Sequence, residues 1–172
     1  MGKLGGIKNA ETSPRPDPLN PGKFIITITL DESFISNATD LLIARRIIHE
    51  SLHAYLTWAT QEDFLGTLAL RILTISSNLG LDTNGAQHTE MSNNFVNAIS
   101  NSLESWHQSA LSDDNYYDYL SWSGSMLNTQ AFMEKPNTFQ SNVIAANIAE
   151  GQAGTGNAST ANAQGINPTN CP

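Results

Sequence analysis

The chain has a single cysteine, Cys171, in 172 residues. That excludes an intramolecular disulfide and any multi-cysteine zinc knuckle. No apolar run approaches the roughly 18–20 residues of a membrane span. The opening MGKLGGIKNAETSPRPDPLN holds no apolar stretch of the secretory-signal kind. It also lacks the Ser or Thr that an N-myristoylation signal carries at its sixth position. The expectation is a chain that stays in the cytoplasm or leaves by a specialised export system. Positive charge is scarce. There are 8 Lys and Arg against 16 Asp and Glu, for a net charge of −8. Residues 31–150 carry only Arg45, Arg46, Arg71 and Lys135 as cations, against fourteen acids. Such a body repels a phosphate backbone, so neither nucleic acid nor an anionic membrane is expected as a partner.

What is present fits one globular domain. The chain is 40% hydrophobic and 14% charged, and its length suffices to bury a core. Residues 1–22 are rich in Gly, Pro and Asn and read as an extended arm. KFIITITL alternates and is β-branched, so Lys23–Leu30 is read as a strand whose partner the pattern does not reveal. From Asn37 or Thr39, either of which can cap, a helix is expected to about Trp58. A second is expected from about Gln61 to Ser77, with a loop over 76–87 on the strength of Gly80 and Asn84-Gly85. A third is expected from about His88 to Leu111, with Met91, Phe95, Ile99, Leu103 and Trp106 as its apolar stripe. DDNYYDYLSWSG reads as a short helix ended by Gly124. One or two more short helices follow, broken at Pro136. Residues 150–172 have no apolar period and read as a disordered tail. The domain proper is then 23–149, an α+β, mainly helical unit. It has one active-site helix, two further long helices and a small sheet.

One segment carries chemistry. IIHESLHAYL contains His49, Glu50 and His53 in H-E-x-x-H spacing on an expected helix. Residues i and i+4 share a helix face, so both imidazoles can reach one metal ion. Glu50 points to a neighbouring sector, where it can take a proton from a metal-activated water. On a wheel stepped at about 100° per residue, Leu41, Ala44, Ile48, Leu52 and Tyr55 cluster on one side. Ile43, Ile47, Ala54 and Trp58 cover much of the opposite side. Arg46, His49, Glu50, His53 and Thr57 form the polar sector between them. A helix apolar around most of its circumference is buried on most of it, so the polar sector is expected to wall a cleft.

A catalytic zinc needs a third protein ligand and an open position. His88 lies 35 residues after His53, beyond a Gly-containing turn that lets a helix hairpin return it. It is the favoured third ligand, and Glu90 is the alternative. Glu104 and His107 are weaker options, because His107 near a helix C-terminus is favoured there by the dipole alone. Imidazole ligation points to Zn2+, although affinity order by itself does not select it. Tyr117, or its neighbours Tyr116 and Tyr119, could donate to an oxyanion. Asp113, Asp114 and Asp118 lack the EF-hand spacing and read as solvated acids.

On these residues the chain resembles the zincin metallopeptidases. It is most similar to a poorly characterised Bacteroidetes-type bacterial group that includes C-terminal domains of large repeat-containing polypeptides. The likeness rests on IIHESLHAYL, QHTEMSNNFV and YYDYLSWSG and covers roughly Lys23 to Phe132. It implies a zinc-dependent peptidase domain acting on a peptide or protein substrate. His49, His53 and His88 would be ligands and Glu50 the general base. SprT-like zincins are a more distant comparison. Their third histidine sits in a His-Gly context absent here, and their crosslink-repair members use basic DNA-binding surfaces. The metzincin pattern is absent, since no histidine follows His53 within a dozen residues. Two rival readings stand beside the enzyme. One is a zinc-binding recognition or structural module without hydrolysis. The other is a delivered effector or toxin domain of a larger polypeptide.

Overall fold

A computed structural model of the protein describes residues 9–62, 66–108, 111, 113–122, 124–155 and 162–166. It is mainly helical with one small antiparallel sheet, an α+β arrangement. The β-branched run forms strand β2, Phe24–Leu30. Its partner is β1, Ala10–Pro16, which lies inside the segment read as an arm. The register pairs Ala10 with Leu30 and Pro16 with Phe24. Prolines hid this strand from the sequence pattern. Pro14 and Pro16 lack an N–H, but an edge strand tolerates them on its unpaired side. The connection closes with Asp17 N donating to Lys23 O at 2.9 Å.

Asp31 caps the short helix α1, Glu32–Asn37, accepting from the Ser33 and Phe34 amides. Thr39, not Asn37, starts the histidine-bearing helix α2, Asp40–Glu62, accepting from Leu42 N at 3.3 Å. Gln61 therefore lies in the last turn of α2 and does not open the next helix. Helix α3 spans Thr67–Leu79 and ends at Gly80, whose φ of 63° is the left-handed stop. The expected loop is cut short there. Asp82 accepts from Gly85 N at 2.7 Å and caps α4, Thr83–Asn94. Asn84-Gly85 is thus a first helical turn, and His88 sits within a helix whose start it was expected to form. The third long helix also divides. Two asparagines, poor helix formers, precede a break at Phe95, and α5 runs Val96–His107.

Helix α6, Tyr116–Ser121, and helices α7, Gln130–Met133, and α8, Asn137–Gly151, complete the unit, with Pro136 at the start of α8. The core holds Leu41, Leu56, Ile72, Met91, Ile99, Leu103, Leu120 and Met126. The α2 wheel needs a correction. Tyr55 from one apolar side and Ile47 and Trp58 from the other are about half exposed, so the solvent-facing strip of the helix runs where those two sides meet, away from the polar sector.

The segment read as a disordered tail is also corrected where it is described. Glu150 is fully buried in α8. It accepts from Tyr116 Oη at 2.6 Å and Gln164 N at 2.6 Å, and also from Thr39 Oγ1. Burial and this carboxylate push the Tyr116 phenol upward, so it stays a donor. Residues 162–166 dock on the start of α2, where Ile166 N donates to Asp40 Oδ1 at 2.8 Å. A Cβ on Gly165 would meet Leu41 Cβ at 2.7 Å, so only glycine fits that approach. Cys171 lies outside the described residues.

Glu150→Ala leaves buried Tyr116 and Thr39 hydroxyls and two tail amides without an acceptor. It should cost about 2–4 kcal/mol of unfolding free energy, measured by urea denaturation.

Candidate metal centre

Three histidines from two helices converge. His49 and His53 come from successive turns of α2, and His88 from α4 packed beside it. All three are buried, and one nitrogen from each lies within 4.8 Å of the others. The His49 and His53 ring centroids are 4.8 Å apart, and those of His53 and His88 are 4.5 Å apart. The group could hold a metal ion.

The hydrogen bonds behind the rings set their tautomers. His88 Nδ1 lies 2.8 Å from the Asn84 carbonyl oxygen, which can only accept. His53 Nδ1 lies 2.7 Å from Gln87 Oε1, while Gln87 Nε2 donates to Thr57 Oγ1 at 3.2 Å. Both Nδ1 atoms therefore carry the proton, and both Nε2 atoms present lone pairs. Those two Nε2 atoms are 3.1 Å apart. Lone pairs facing at that distance repel unless a proton or a metal cation lies between them.

The surroundings oppose the proton. Burial pushes His49 well below the usual histidine range, with Arg45 adding to it. Burial likewise lowers His53, against the hydrogen bond it donates to Gln87. It takes His88 down to about 4, helped by the neighbouring His53. Three neutral imidazoles are the protonation state a divalent metal needs. Nitrogens at about 2.0–2.1 Å from one tetrahedral zinc lie roughly 3.3 Å apart, close to the His53–His88 spacing. The widest pair exceeds that by about 1.5 Å, within the reach of a histidine χ adjustment. His49 Nδ1 is buried without a partner among the described residues.

Glu50 stands beside the triad, buried, and lines the same cleft of about 760 Å³. Thr12 Oγ1 from β1 lies 2.8 Å from Glu50 Oε2 and 2.9 Å from the Glu50 carbonyl oxygen. The polar sector of α2 does wall this cleft, which Arg46, His49, Glu50, His53 and Thr57 all line. A second cleft of about 700 Å³ shares Asp82, Asn84, His88 and Ser125 with it.

The other sequence-based candidates lie elsewhere. Glu90 is buried but pairs with Arg71, so it does not replace His88. Glu104 is exposed on α5, and His107 faces Tyr117. The expectation that Tyr117 faces the cleft is corrected. Its hydroxyl lies 2.8 Å from His107 Nδ1, because α6 packs on α5 and not on the cleft. Tyr116 and Tyr119 are held by Glu150 and Asn142. Sequence reasoning missed Thr12, Asn84 and Gln87. Asn84 lies four residues before His88, a signal available once both share a helix. Thr12 had no such signal, since β1 itself was unread.

The chain should bind one divalent metal. His88→Ala should abolish stoichiometric loading in elemental analysis, and Gln87→Ala should weaken affinity roughly 10–100-fold in a chelator competition. Without metal, the depressed histidines make stability pH-dependent. The unfolded chain takes up protons near pH 6.5, and the folded chain resists them. Stability should therefore be full above that pH and fall progressively toward about pH 4, the range set by His88. With chelator present, His88→Gln should flatten this acid limb of the melting profile.

Comparison of the chain with protein-family models, curated proteins and solved structures finds no match.

Proposed function

We propose that the protein is a zinc-dependent metallopeptidase that hydrolyses peptide bonds in the cleft between α2 and α4. The observation that carries this reading is the pair of facing Nε2 lone pairs 3.1 Å apart, with Glu50 lining the same cleft. His49, His53 and His88 are the ligands. A three-nitrogen site on neutral imidazoles suits zinc and leaves a fourth position open. The chemistry a bound zinc supplies is polarisation of a carbonyl oxygen and a water whose pKa drops to about 7.

The chain's own groups do the rest. The Thr12 hydroxyl engages Glu50 Oε2, and Oε1 is the carboxylate oxygen assigned to proton transfer. Glu50 Oε1 takes the proton of the attacking water and passes it to the leaving amine nitrogen. Gln87 and Asn84 hold the His53 and His88 rings so that Nε2 is the atom presented. The two clefts that meet at His88 leave room for an extended chain on both sides of the site.

Glu50→Gln separates catalysis from a purely metal-binding role. It should keep about one zinc per chain and lower kcat by at least 100-fold, since a positioned proton-transfer group contributes about 10²–10⁴. Mass spectrometry of a peptide library measures the cleavage, and elemental analysis the zinc. Cleavage that persists in Glu50→Gln would remove Glu50 from the mechanism.

A further inference from the structure

Arg46 is the one cationic side chain among the described residues lining the cleft, and proton transfer makes no use of it. It stands one turn before His49, and i, i+3 spacing puts the two on one face of α2. Its guanidinium carbon lies 5.8 Å from the centroid of the buried Phe34 ring. The tip of the side chain lies beside Gly124, where an added Cβ would meet Arg46 Nη1 at an ordinary contact distance of 3.5 Å. Arg46 Nε is buried with no acceptor among the described residues.

Three carboxylates, Glu11, Glu50 and Asp82, line the cleft with Arg46, and among the described residues the guanidinium donates a hydrogen bond to none of them. Glu50, one turn later, attracts Arg46 electrostatically, but its Oε2 is engaged by Thr12. Asp82, also on the cleft wall, is occupied by capping α4 through Gly85 N. Arg45 next door donates to the Leu120 carbonyl and is fully buried, adding positive potential without lining the cleft. A guanidinium is always charged, and its planar fork matches a carboxylate. Its Cβ lies roughly 5–6 Å from that of His49, about one or two residues of extended peptide.

We propose that Arg46 binds a substrate carboxylate, so that the cleft selects peptides carrying one within one or two residues of the bond presented to the triad. The substrate class rests on the peptidase reading, whereas carboxylate capture requires no hydrolysis. The carboxylate belongs to a free C-terminus or to an Asp or Glu side chain, and the test separates the two.

The full chain, metal-free and zinc-loaded, is titrated with four probes: N-acetyl-Ala-Ala, its C-terminal amide, N-acetyl-Ala-Asp-amide and N-acetyl-Ala-Asn-amide. The nitrogen-15 Nε resonance of Arg46, assigned by its loss in Arg46→Lys, reports binding. At least one acidic probe should shift it and bind roughly tenfold or more tightly than its neutral twin. Arg46→Met should erase that preference, and Arg46→Lys should keep part of it. If Arg46→Met does not fold, Arg46→Lys and the paired probes decide. A response to Ala-Ala assigns the terminal carboxylate, and a response to the Asp probe assigns an acidic side chain. Equal binding of acidic and neutral probes, or a preference unchanged in the variants, overturns the proposal. Carboxylate preference without peptide cleavage would instead sink the peptidase reading and leave the Arg46 site standing. Cleavage without carboxylate preference would do the reverse.

Discussion

Helix α2 encloses polar groups on a face that the rest of the chain must accommodate. Arg45, His49, Glu50 and His53 are all buried along it. A buried charge is tolerated only when other groups replace its water. Arg45 meets part of that demand with the carbonyls of Leu120 and Ser121 at the end of α6, while its Nη1 has no partner among the described residues. Those carbonyls lack helical partners, so one contact answers both needs. That contact ties α2 to the end of α6, which itself packs on α5 and α8.

The same charge shapes the candidate metal centre. Arg45 and Arg46 stand near the histidines and, with burial, keep the rings neutral. Neutral rings leave their lone pairs free, and the Asn84 and Gln87 contacts decide which nitrogen presents them. These partners come from α4, whose first turn depends on the Asp82 cap. The break at Phe95 then lets α5 turn its apolar face inward, with Ile99 and Leu103 fully buried.

The small sheet has a local purpose. Two strands alone are marginal in water, and this pair packs on α2. The packing brings Thr12 to Glu50. At the other end of the fold, Glu150 ties residues 162–166 to the start of α2. Helix α2 is therefore restrained near its beginning by α8 and along its polar sector by β1.

Local chemistry alone determined the helical character, the α2 face bearing His49, Glu50 and His53, strand β2 and the stop at Pro136. Each depends on a period, a cap or a breaker within a few residues. The His88 choice was legible too, because few imidazoles compete for a third position. Tertiary structure decided what local pattern cannot carry. Pro14 and Pro16 hid β1, whose pairing comes from residues 8 to 20 positions away. Glu90 and Tyr117 were plausible site residues by type. Arg71 and His107 hold them elsewhere, in contacts that exist only once α3 meets α4 and α5 meets α6. The buried arginines likewise read as ordinary polar positions until the helices closed over them. Periodicity reports which face turns inward, but only packing specifies which groups that face meets.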